Sequence, residues 1–274
     1  MSAIDDRLLE ILACPEDKGP LLLAGQDTLY NPRLRRAYRI DDGIPVLLVD
    51  ESRQGDESEH AELGARDRFR ELLRVAPPDE AARAVLGGVL SHGPVAVRIV
   101  EVEAYGGPSG SAHPDPAAHT WPGPTPRNQV MFGDAGHLYV YLSHGIHRCV
   151  NITCRPAGEG GGILLRGARV VAGHEVVDGR RPGVPAERAA RGPGNLGSAL
   201  GIDLSFRGTD VLDSSSSITF QPDPVPGDLI RTGPRVGVSR AADVPWRFWT
   251  AGAREVSPYR RSPRAGRVTD HAPW

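Results

Sequence analysis

Glu101, Glu103 and Tyr105 alternate along VAVRIVEVEAY, residues 95–105, a run rich in β-branched residues that reads as a buried strand. Alternate residues of a strand share a face. Two carboxylates and a phenol therefore point one way, and Val100, Val102 and Ala104 the other. A carboxylate at the end of a strand can take a proton from water or support a developing positive charge. Glu-x-Glu by itself is more readily a structural feature, its carboxylates paired with arginines such as Arg98 or Arg169. The residues downstream favour chemistry. DPAAHTWPGPTPRNQVMF brings His119, Trp121 and Arg127, and HLYVYLSHGIH brings Tyr139, Tyr141, His144 and His147. Rings beside a carboxylate and an arginine-bearing loop suit stacking against a nucleobase turned out of its helix. One of Tyr139 and Tyr141 is expected to be ordinary strand packing, and His113, His137 and His147 to be surface or loop histidines.

These residues need elements to hold them. DEAARAVLGG, residues 79–88, reads as a helix with Asp79 as N-cap and Gly87 as stop. Strands are predicted at 95–105, at HLYVYLSHG and HRCVNITC (137–154, joined near Gly145), at GILLRGARVV (162–171), and late at ITFQ and RVGVSR. RGPGNLGSALGI carries a short helix, and 106–128 is a long Gly/Pro-rich loop of the kind that usually bears function. The fold class is α+β, a mainly antiparallel β-sheet core with flanking helices. It is preceded by a small α+β ribbon-like domain over residues 1–50, with strands at LLLAG, TLYN, AYRI and IPVLLV and a hairpin turn at DDG (41–43). Residues 51–66 read as an acidic linker, 67–258 as the second domain, and 259–274 as a disordered basic tail.

Charge separates the two parts. Residues 1–66 carry 14 acidic and 8 basic side chains, whereas residues 67–274 carry 20 acidic and 24 basic ones. Only the second part suits a polyanion, through a local patch. All its basic residues are arginine, since the chain's one lysine is Lys18. No apolar run is long enough to span a bilayer, and the acidic N-terminal stretch lacks the basic region of a secretory signal. Cys14, Cys149 and Cys154 are too few for a disulfide framework, so a cytoplasmic, nucleoid-associated protein is expected. His144, His147, Cys149 and Cys154 fit no structural zinc spacing, and no metal or cofactor is expected.

In their order and spacing, EAY, AAH, TPRN, YVY, the strand of Asn151, LLR and RVGV resemble the alkyladenine (3-methyladenine) DNA glycosylase family, collinear from about Pro78 to Pro258. The resemblance implies a monomeric enzyme acting on double-stranded DNA. It would hydrolyse the N-glycosidic bond of alkylated or deaminated purines such as 3-methyladenine, 7-methylguanine, hypoxanthine and ethenoadenine. Glu103 corresponds to the general base, and Arg166 to an arginine that helps hold the water and nearby phosphate. Tyr105, His119 and Tyr141 correspond to walls of the flipped-base pocket, and Asn151 to the residue that disfavours guanine at the purine 2-position. Arg127 corresponds to a phosphate contact, and His144 stands where many members carry a tyrosine wedge. Two further departures are a longer 106–118 loop and Asn195 in place of a lysine near DNA. Cleavage builds oxocarbenium character on the sugar, which a neighbouring carboxylate stabilises. A strand-cutting lyase needs an amine, and this domain has no lysine, so a monofunctional glycosylase is expected.

LLEILACPEDKGPL…LYNPRLRRAYRIDDGIPVLLVDE, residues 5–52, resembles a short bacterial family related to the activator subunit of tRNA methyltransferases. Its CPED replaces the first C-x-x-C of zinc-ribbon relatives, and no second pair follows. Arg33, Arg35, Arg36 and Arg39 read as a solvated hairpin face or a nucleic-acid contact, and the acidic module could dock a protein partner. The alternative for the whole chain is a non-enzymatic adaptor acting through this domain.

Overall fold

The computed structural model describes residues 6–18, 21–24, 27–31, 34–55 and 57–266. They fall into two compact units whose boundary lies between Arg70 and Glu71. In the first, helix α1 (Asp6–Ile11) precedes an antiparallel meander of β1 (Leu22–Ala24), β2 (Thr28–Asn31) and β3 (Arg36–Asp41). Two short strands, β4 (Ile44–Pro45) and β5 (Arg53–Gln54), both pair with β3. Asp42 and Gly43 have φ of 47° and 79°, so the β3–β4 connection is the two-residue turn with both φ positive that DDG suggested. Cys14, Leu21, Leu29, Tyr38 and Ile40 form a small core, with Leu8, Leu9 and Leu12 packed on it.

The stretch read as a linker with some helix carries a short strand and the start of a helix. Residues 53–54 complete the first unit's sheet, and Glu57 opens a 19-residue helix, α2 (Glu57–Val75), that runs through the boundary between the units. Its acidic composition is compatible with helix, because Glu and Ala are good helix formers and negative charge favours a helix start.

In the second unit α3 (Pro78–Val85) follows, started by Pro78 at its first position rather than by an Asp79 cap. The sheet then runs β6 (Val89–His92), β7 (Val95–Tyr105), β8 (Leu138–Ser143), β9 (His147–Thr153) and β10 (Gly162–Ala172). Helices α4 (His174–Arg180), α5 (Ala186–Ala189) and α6 (Pro193–Leu200) precede β11 (Ile218–Gln221), β12 (Ile230–Gly233) and β13 (Arg247–Thr250). All pairings are antiparallel, in the order β11-β6-β7-β10-β9-β8, as the α+β class requires. β7 is the central strand. One edge pairs with β10 along its length, while the other pairs first with β6 and then, over Glu101–Glu103, with β13. Apolar side chains of α3 (Ala81, Ala82, Val85) and α6 (Leu196, Ala199, Leu200) are buried with those of the sheet, among them Val102, Leu165 and Ile152.

Two expectations fail here. RVGVSR forms no strand: Gly237 has φ 74°, and the Val236 N–H is spent on a side chain of β7 rather than on a ladder. Its place beside β7 belongs to RFWT, β13. Residues 259–266 are also held in place, since Arg260 O accepts from Gly237 N–H and Arg261 pairs with Asp243; residues 267–274 lie outside the described ones.

Candidate active site

Strand register assembles the site. Tyr139 stands opposite Asn151, Asn151 opposite Leu164, Leu164 opposite Glu103, and Glu103 opposite Arg247. Residues directly opposite in a ladder share a face, so five strands present one continuous row. Tyr141 lies two residues along β8, opposite Cys149, and Tyr105 two along β7, opposite Gly162. Arg166 owes its aim to a β-bulge. Leu165 pairs with Val102 and Gly167 with Glu101, which leaves Arg166 as the extra residue, turned toward both carboxylates.

The two glutamates are both fully buried but differently held. Glu101 accepts from Arg247 Nε (2.7 Å), Ser257 N–H (2.6 Å), Ser257 Oγ–H (2.8 Å) and Arg166 Nε (3.2 Å). Glu103 accepts from the Val236 N–H (2.7 Å) and the Tyr105 hydroxyl (2.8 Å), with Arg166 farther off at 3.4 Å. The expected partners are absent from both: Arg98 pairs with Asp223 and Arg169 with Glu255. Burial and the Glu103 charge push the Tyr105 phenol well above the usual tyrosine range, which keeps it a donor.

Beside this cluster lies a cavity of about 350 Å³, lined by Tyr105, His119, Met131, Tyr139, Tyr141 and Asn151, and closed by Gly237–Arg240. It lies within the size range of small-ligand sites. Glu103 does not line it and is joined to it through Tyr105. Tyr139 and Tyr141 stack at 5.5 Å, and His119 meets Tyr141 edge-on at 4.6 Å, so both tyrosines are wall and neither is only packing. His119 Nδ1 bonds the Tyr139 hydroxyl at 3.1 Å. Burial, then the Arg127 guanidinium, lowers the His119 pKa. The Asn151 amide donates to Tyr139 O at 3.0 Å. Among the described residues no group of three or more His, Cys, Asp or Glu is placed to hold a metal ion.

The remaining candidates do not line the cavity. Arg127 is exposed, its guanidinium 5.6 Å over the Tyr141 ring. His144 is exposed at the tip of the β8–β9 hairpin, with φ 51° followed by Gly145 at 75°, and Leu142 and Ile146 are exposed beside it. His113 does not line the cavity; its carbonyl accepts the Gly107 N–H. Asn195 caps its own turn by donating to Arg191 O.

Sequence reasoning missed the residues that brace the site. Arg247 and Ser257 hold Glu101 across more than 140 positions of chain. Arg235, 1% exposed, binds Asp115 through both amino groups, and Asp115 accepts the Gly106 and Ala117 N–H groups that shape the His119 loop. RVGV was visible as a motif, but nothing local in it marks Arg235 as the buried partner of Asp115.

Comparison with known proteins gives the family. A family model described as methylpurine-DNA glycosylase matches residues 72–254, and one described as Trm112p-like protein matches residues 5–43. The chain is 55% identical over 202 residues to a protein of Nocardia farcinica (strain IFM 10152), covering 73% of this chain and 95% of that one. It is 54% identical over 202 residues to one of Rhodococcus jostii (strain RHA1), covering 73% and 89%. Both relatives are named "Putative 3-methyladenine DNA glycosylase". On these matches the chain belongs to the methylpurine-DNA glycosylase family, DNA-repair hydrolases that act on DNA.

Proposed function

We propose that the second unit hydrolyses the N-glycosidic bond of alkylated or deaminated purines flipped out of duplex DNA. The observation that carries this reading is a ring-walled cavity joined through Tyr105 to a buried carboxylate whose contact with Arg166 is long, at 3.4 Å. A flipped purine stacks against Tyr105, His119 and Tyr141 in the cavity. Glu103 takes a proton from water and stabilises the positive sugar. For water to reach Glu103 one contact must give way, and those to Arg166, at 3.4 Å, are the longest. Arg166 then stays near the water and the 3′ or 5′ phosphate. Asn151 lines the pocket as a steric and polar gate for the base edge, Arg127 binds phosphate at the rim, and the hairpin tip with His144 fills the gap in the duplex.

With no lysine in the unit, the enzyme leaves an intact abasic site, acting as a monomer. Trapping a covalent adduct with borohydride would overturn that. The main test is a panel of duplexes carrying hypoxanthine, ethenoadenine or 3-methyladenine. The protein should generate alkali-labile sites, and Glu103→Gln should bind these duplexes without cutting them. The Trm112p-like match favours an accessory role for the first unit, docking a protein partner. If no lesion is excised, an adaptor role for the whole chain takes precedence.

A further inference from the structure

Arg235 takes no part in the chemistry above, yet it is the largest side chain fully enclosed among the described residues. Nη1 donates to Asp115 at 2.5 Å and to Ala104 O at 3.1 Å, and Nη2 to Asp115 at 3.0 Å. Its buried Nε–H has no hydrogen-bond acceptor. Beside the guanidinium lie two rings, Tyr105 with its centroid at 4.7 Å and Trp246 at 5.4 Å. Tyr105 lines the cavity and Arg235 does not, so the cation touches a wall ring without itself facing the cavity.

A tyrosine ring attracts cations through one shared cloud of π electrons. A cation already on one face draws that cloud toward itself. A second cation at the same ring meets a weakened cloud and a nearby like charge. Tyr141 is similarly placed, with Arg127 over its ring. The buried charges are paired overall, Glu101, Glu103 and Asp115 with Arg166, Arg247 and Arg235, so the effect is local: it is the guanidinium of the Asp115 pair that occupies the wall ring. Damaged purines come in two electrostatic kinds. N3- or N7-alkylated purines are cations, whereas deaminated and etheno-bridged purines are neutral.

We infer that Arg235, clamped by Asp115, is a specificity-determining residue that offsets the natural preference of aromatic walls for cationic bases, so that neutral lesions compete for the pocket. This rests on the excision reading above. The test compares duplexes carrying 7-methylguanine (cationic) and hypoxanthine (neutral). Single-turnover excision is measured in the full chain, and duplex Kd in the Glu103→Gln background. The variant is Arg235→Gln with Asp115→Asn, which removes both charges and keeps hydrogen-bonding groups in place.

The cationic-to-neutral ratio should rise about fivefold or more, in rate and in Kd, the size of a desolvated cation–π contact. Arg235→Lys, still charged, should stay within about twofold of the parent ratio by the same reasoning. If both lesions lose activity in step and the ratio holds, Arg235 only braces the loop and the inference is wrong. Should the paired variant fail to fold, Arg127→Gln decides: it sits on an exposed residue and should shift the ratio the same way by a smaller factor, and an unchanged ratio overturns the inference. If the parent excises neither lesion, the excision reading fails, and the Kd ratio alone still decides the role of Arg235.

Discussion

Glu101→Gln and Glu103→Gln should have opposite signatures. Glu101 is bound by two arginines and both donors of Ser257. Neutralising it leaves buried positive charge uncompensated, which costs roughly 3–5 kcal/mol when a buried pair is broken. Thermal melting should fall by about 10 °C or more. Glu103→Gln should melt within a few degrees of the parent, bind lesion duplex, and lose about 100-fold or more in single-turnover rate. Equal melting losses would contradict the division of labour. His119 makes a separate prediction. Burial, then the Arg127 guanidinium, holds its pKa below the ordinary histidine range, so its ring stays neutral as pH falls into that range. Excision of a cationic purine should therefore hold from pH 7.5 to about 6.5 and decline only below, where imidazolium would repel the base. His119→Gln should remove that part of the decline, and a pH profile of the two proteins checks it. Glu103, Tyr105, His119, Tyr141 and Asn151 were legible in the chain because strand alternation and ordered motifs mark them. Asp115, Arg235 and Arg247 were not, because their meaning lies in partners more than 100 residues away.

The elements carry the site through two local devices. The first is the fold-back at Gly106, whose carbonyl accepts Thr120 Oγ–H and where an added Cβ would strike the His113 carbonyl. Gly106→Ala should lower the melting temperature and weaken lesion binding together, since the backbone cannot yield without moving the His119 loop; wild-type binding in a folded Gly106→Ala would show that the loop adapts. The second is the hairpin tip, where His144 and Gly145 take positive φ. His144→Tyr should tighten binding to lesion duplex by presenting a larger plate, with unmodified duplex as the control. An unchanged Kd discredits the wedge. β7, β8, β9, β10 and β11 were readable from β-branched periodicity. β13 was not: RFWT is a four-residue run flanked by Pro245 and Gly252, while RVGVSR imitates a strand and spends its amide on Glu103.

For the whole molecule, composition announced two parts. Charge density made residues 51–66 resemble a linker, whereas the chain carries sheet and helix through it. A protein beginning at Asp67 keeps Leu73, whose carbonyl accepts the Arg155 N–H, and all of the family match. It should retain excision within about threefold of the full chain; complete loss would make the first unit a required part of the enzyme. No helix among the described residues is long and apolar enough to cross a membrane.

The matched quartet of Glu101, Glu103, Arg166 and Arg247 has a consequence on the timescale of descent. A single replacement at Glu101, or at either arginine that holds it, leaves an odd charge in the interior, so each such first step along a substitution path is penalised before a compensating second step can arrive. These positions should therefore change in concert or stay frozen, and the oldest surviving character of the lineage should be the arithmetic of their charges rather than the shape of the pocket.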